Sequence, residues 1–167
     1  INAQNPDVVV FLGDSLGSAK GLERFREILT EIQCPVKLAV KGNWCVWYWH
    51  NLDLLGGTGF QGLDSEYVDV GCEERIRIVG VAYNDDEEQA AASAASMLSM
   101  TELDDKILYR IMLYHNPDIA EWMAKSNAPL DALLAGHTHG GQLNLHFYGP
   151  IAMMSRHGTR LARGLIR

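Results

Sequence analysis

The sequence predicts an α/β fold, and three observations carry that reading. Short apolar runs rich in β-branched residues, such as Val8-Val9-Val10-Phe11, read as strands covered on both faces. Over 18–33, apolar Leu22, Phe25, Ile28, Leu29 and Ile32 recur at helical spacing, with Glu23, Arg24, Arg26, Glu27 and Glu31 outside. The run over 36–40 then follows Pro35, and strand, helix, strand of this length is one right-handed βαβ unit.

The elements follow in order. The first strand lies within 7–12, between Pro6 and Gly13-Asp14, and the second, over 36–40, ends at Gly42-Asn43. Residues 44–55 are rich in tryptophan and leucine, and Gly56-Gly57 and Gly59 then interrupt any regular element. Segments 66–70 and 75–82 read as an antiparallel hairpin turning at Gly71. The alanine-rich stretch 85–100 predicts a helix whose acidic start suits the positive end of its dipole. A strand over 106–114 ends at His115-Asn116-Pro117, and Pro117 opens a helix to about residue 126. Segment 130–135 is the strand before Gly136-His137-Thr138-His139-Gly140-Gly141-Gln142, and 142–147 predicts a closing strand. No internal repeat or linker divides the chain, so residues 1–167 read as one domain.

The side chains with chemistry share one kind of position. Asp14, Asn43, His115, His137 and His139 each lie just past the end of a predicted strand. Ligands of open α/β sheets bind along that edge. His137 and His139, one residue apart on an extended turn, would face one cleft.

Composition narrows the partners. A formal charge of −7 argues against a duplex nucleic-acid partner, which would meet a basic face. Four arginines (Arg156, Arg160, Arg163, Arg167) and no acid follow Pro150, and this basic end reads most simply as a solvated edge. Cys34, Cys45 and Cys72 are odd in number and form no Cys-x-x-Cys pair, so reduced thiols are expected. No apolar stretch approaches the roughly 20 residues needed to cross a bilayer. The chain starts at Ile1 and enters a strand almost at once, which reads as a fragment of a longer protein.

Taken in order, Gly13-Asp14, Gly42-Asn43, His115 and Gly136-His137-Thr138-His139 resemble the calcineurin-like metallophosphoesterase superfamily. The stretch 136–142, with Tyr148-Gly149-Pro150 and Ser155-Arg156-His157-Gly158, looks like its bacterial branch of membrane-associated and lipid-phosphodiester hydrolases. The resemblance implies a β-sandwich flanked by helices, in αββα layers. It also implies two divalent ions: Asp14 bridging both, Asn43, His115 and His137 on the second, and His139 on the first. Such a nitrogen and oxygen set suits manganese, iron, zinc or cobalt better than calcium. Two ions about 3.5–4 Å apart can clamp phosphate oxygens and aim a metal-bound hydroxide at phosphorus. The implied activity is hydrolysis of phosphomonoesters or phosphodiesters, lipid-linked ones included.

Two departures stand against it. The family's Asp-x-His strand is absent, and its place would be before Ile1, leaving only Asp14 and His139 for the first metal. Where the family has Gly-Asn-His, this chain has Gly42-Asn43-Trp44, and an indole cannot shuttle protons. His50 is the nearest substitute, though a lone histidine is more often a surface residue. Both departures favour the alternative of a degenerate module that binds a phosphate ligand or partner with little turnover. The remaining residues take plain readings: Trp44, Trp47, Tyr48 and Trp49 as packing rather than a wall for a lipid or nucleoside group, and His146 and His157 as structural or exposed. Cys45 sits two residues from Asn43 with no base in the sequence beside it to activate the thiol.

Overall fold

A computed structural model describes residues 1–100, 106–141, 143–145, 149–152 and 155–166. The chain folds into two main sheets with helices outside them. The first sheet holds β1 (Val8–Phe11), β2 (Val36–Ala39) and β3 (Gln61–Gly62), all parallel and in that order. The second holds β4 (Glu66–Val70), β5 (Arg75–Gly80), β6 (Ile107–Leu113) and β7 (Ala132–Leu134). In it β4 and β5 form the expected antiparallel hairpin, while β5, β6 and β7 run parallel. A separate antiparallel pair joins β8 (Leu143–Leu145) to β9 (Gly149–Ala152). The predicted closing strand over 142–147 is thus shorter within the described residues, and Gln142, His146 and Phe147 lie outside them.

Burial fixes the layers. Leu38, Val40 and Leu63 from the first sheet meet Ile78 and Leu113 from the second in one apolar cluster, so the sheets pack face to face. On the outer face of the first sheet, Leu29, Ala39 and Phe60 cluster with Phe25 and Ile32 of the segment predicted as helical. The helix itself, α1 (Leu22–Thr30), is shorter than 18–33 because a 3-10 turn, Ala19–Gly21, leads into it. The outer face of the second sheet packs Val79, Met112 and Tyr114 against Ala90, Ala94 and Leu98 of a helix (Glu87–Ser99) and Met123 of another (Ala120–Ser126). The order helix, sheet, sheet, helix is the αββα arrangement.

Residues 43–48 form a short helix, α2 (Asn43–Tyr48), that the tryptophan-rich composition had not marked. Counting it, Glu87–Ser99 is α3 and Ala120–Ser126 is α4. The side chain of Asp86 caps α3 by accepting from the Gln89 N–H at 3.0 Å. Pro117 opens a 3-10 turn that runs directly into α4, matching its expected place. All three cysteines are free thiols. Among the described residues no helix is long and apolar enough to cross a membrane.

Candidate metal centre

Four loops meet at the C-terminal ends of β1, β2, β6 and β7. Backbone contact sets two of them together: a Cβ on Gly13 would collide with the backbone of Gly42, and one on Gly42 with the Asp14 carboxylate and the His115 ring. Gly13 also holds a φ of 95°, which favours glycine. The next loop is tied to the fourth by the Gly136 N–H, which donates to the His115 carbonyl at 2.9 Å.

These loops bring Asp14, His115 and His137 together, with one possible ligand atom from each lying within 4.8 Å of the others. His115 is fully buried, and its Nδ1 donates to the Leu12 carbonyl at 2.6 Å. A neutral ring with its proton on Nδ1 therefore turns a lone pair on Nε2 inward. That Nε2 lies 3.0 Å from Asp14 Oδ2 and 3.1 Å from His137 Nδ1. A proton on His137 satisfies the second contact but leaves carboxylate and imidazole lone pairs facing each other. A proton between Asp14 and His115, or a cation, resolves that conflict.

Burial works against ionisation of Asp14, but with that proton on His115 its hydrogen bond and charge, the Trp44 N–H and the charge of His137 outweigh it. Its carboxyl is held below the ordinary value. The Trp44 N–H, at the start of α2, donates to Asp14 Oδ1 at 3.0 Å.

Asn43 supplies an independent sign. It is 3% exposed, and its Oδ1 has no hydrogen-bond partner among the described residues. A buried acceptor left bare costs about 1–3 kcal/mol, so it needs a partner that these side chains do not provide. Asn43 lines one cleft with Asp14, Leu16, Gly17, Trp44, His137 and His139. The donor set of one carboxylate, one amide oxygen and two imidazoles fits a divalent transition metal.

His139 reaches the cleft wall but is exposed and stands outside the convergent group. Both histidines line one cleft, as their spacing predicts, but the turn that carries them is not extended. His137 and His139 both take left-handed backbone conformations, with φ of 64° and 51°, in the turn after β7. Asp14 does so too, at 55°. Such conformations in non-glycine residues concentrate at functional sites.

The remaining readings fare differently. His50 is exposed, as a lone histidine was expected to be, and it lines a different pocket with Lys41, Asp64 and Tyr83. The aromatic cluster is not simply packing, for Trp44, Trp47 and Tyr48 are 42%, 46% and 60% exposed, and only Trp49 joins an apolar cluster. Cys45 is buried, 3.6 Å from the Ser15 hydroxyl. His157 is exposed, 3.5 Å from the Glu121 carboxylate; His146 lies outside the described residues. The described arginines of the basic end, Arg156, Arg160 and Arg163, are exposed as expected, but one is also anchored. Arg156 pairs with the buried carboxylates of Glu87 and Asp118, and its N–H donates to Asp118 Oδ2 at 2.8 Å.

Two contributors had escaped the sequence reading. The Leu12 carbonyl leaves no mark in a sequence, since any residue supplies one. Tyr83 stands edge-on to His115 with ring centres 6.5 Å apart. It follows β5, so the same strand-end rule that selected Asp14 could have found it.

With this geometry in place, similarity to known proteins becomes informative. The chain is 33% identical over 144 residues to an uncharacterized metallophosphoesterase of Aquifex aeolicus, covering 84% of this chain and 53% of that protein. It is 27% identical over 168 residues to the uncharacterized metallophosphoesterase YkuE of Bacillus subtilis, covering 90% and 53%. Both names support the metallophosphoesterase superfamily. The uncharacterized protein YpbG of Bacillus subtilis is 40% identical over 52 residues, 31% of this chain. The chain spans about half the length of the curated metallophosphoesterases it matches. No family model and no solved structure matches it.

Proposed function

We propose that this chain carries the catalytic centre of a metal-dependent hydrolase of phosphomonoesters or phosphodiesters. The observation that supports it most is the buried, unpartnered Asn43 Oδ1 beside the converging Asp14, His115 and His137. Those four would hold one metal, and Asp14 and His139 are the residues here available to another. Bound divalent ions supply Lewis acidity toward phosphoryl oxygens and toward water.

The protein groups have separable tasks. The Leu12 carbonyl fixes the His115 tautomer, and the Trp44 N–H orients Asp14. Exposed His139 stands where it can hydrogen-bond a phosphate oxygen entering the cleft. A binuclear centre and phosphodiester preference are finer parts of the same proposal, drawn from the family resemblance.

One observation favours a second reading. Trp44 occupies the position of the family's proton-handling histidine, and His50 does not line that cleft, so a phosphate-binding module with little turnover would carry the same residues. The test measures metal content and manganese-dependent hydrolysis of bis(4-nitrophenyl) phosphate by the full natural chain. Hydrolysis lost at least 100-fold in His137→Ala supports the enzyme. Tight metal and phosphate binding without turnover supports the module, and an unchanged variant sinks both.

A further inference from the structure

The cleft is lined by polar Asp14, Asn43, His137 and His139 and by Leu16, Gly17 and Trp44, which bring apolar surface into it. Trp44 sits on the first turn of α2, one residue after Asn43, with its backbone held to Asp14. Its indole leans on Tyr48, ring centres 5.1 Å apart, yet remains 42% exposed. Tyr48 in turn contacts Trp47 at 6.5 Å, so the ring has an aromatic backing. A backed aromatic face at the mouth of a polar cleft costs little to organise and stacks flat rings well.

We infer that Trp44 is a specificity-determining residue that stacks a planar aromatic group attached to a phosphorus held among Asp14, Asn43, His137 and His139. This rests on the phosphoesterase reading and deepens it by naming the substrate class. The exposed, backed indole face favours a flat ring over an extended acyl chain. The cleft offers about 270 Å³ and opens to solvent. A phosphoryl group and one ring system suit that space. The exchange is also chemically coherent: an indole in place of a proton donor suits an aryl or otherwise acidic leaving group, whose oxygen departs without being protonated.

The test compares binding of phenylphosphonate, methylphosphonate and octylphosphonate to the manganese-loaded full natural chain by calorimetry, alongside hydrolysis of 4-nitrophenyl phosphate esters. Phenylphosphonate should bind at least tenfold more tightly than methylphosphonate. Trp44→Ala should reduce that preference to within twofold, and Trp44→Phe should keep most of it. A preference that survives in Trp44→Ala, an octylphosphonate that binds best, or no binding of any phosphonate would overturn the inference. Trp44-dependent phenylphosphonate binding without ester hydrolysis would uphold the stacking role while removing the hydrolase reading. Hydrolysis without aryl preference would do the reverse.

Discussion

At the residue scale, the centre is defined by groups that need something they lack. The Nδ1–H of His115 is committed to the Leu12 carbonyl, so its Nε2 faces Asp14 and needs a proton or a cation between them, while the Asn43 amide oxygen is buried without a donor among the described residues. Replacing Asn43 by alanine removes an uncompensated acceptor. We therefore expect metal-free Asn43→Ala to match or exceed the native chain in stability, by up to about 1–2 kcal/mol. The same change should weaken metal affinity at least tenfold, read by calorimetry. A large loss of metal-free stability would contradict the ligand role. These residues were legible in the sequence because each follows a strand. The left-handed backbone of the turn that carries His137 and His139 was not, since non-glycine residues rarely adopt it.

At the scale of elements, two polar clamps hold the layers that position the loops. On β5, buried Arg77 pairs with Asp69 across the β4–β5 hairpin through two 2.8 Å bonds and also donates to the Met97 and Met100 carbonyls at the end of α3. Arg77→Ala leaves those acceptors bare and should cost about 3–5 kcal/mol in chemical denaturation. The second clamp joins Tyr114 to Asn84: the phenol donates to the Asn84 carbonyl and accepts from its N–H, both at 3.1 Å. Burial pushes the Tyr114 hydroxyl up from 10.0 to about 12. Its folded-state value is raised, so its contribution to stability is complete below pH 10 and is lost as pH climbs toward 12. Tyr114→Phe should flatten the decline in thermal midpoint across that window; an equally steep decline would contradict this role. Strand and helix identities followed from the sequence periodicity. Helix α2 did not, because Trp44, Trp47 and Tyr48 expose rings on a segment whose composition resembles core, and helical burial patterns are the signal that reads such segments.

For the whole molecule, two sheets packed through Leu38, Val40, Leu63, Ile78 and Leu113 bring four strand ends to one side, and the centre exists only when they are assembled. A metal binding only that assembled state adds stability by mass action. At a free metal concentration 100 times the dissociation constant this is about 2.7 kcal/mol, or roughly 5–10 °C in midpoint for a domain of this length. Chelation should remove that increment, and differential scanning calorimetry would read it. The layered architecture was legible because apolar strands and one amphipathic helix state which faces are covered. The anchoring of Arg156 on Glu87 and Asp118 was not, since it joins side chains 69 and 38 residues apart that no local pattern relates. The most direct measurement of the metal centre is elemental analysis of the dialysed full natural chain, native against His115→Ala. Bound transition metal in the native protein and its loss from a folded variant is the predicted result. A native protein that retains none after manganese loading, or a folded variant that retains as much, would contradict the account.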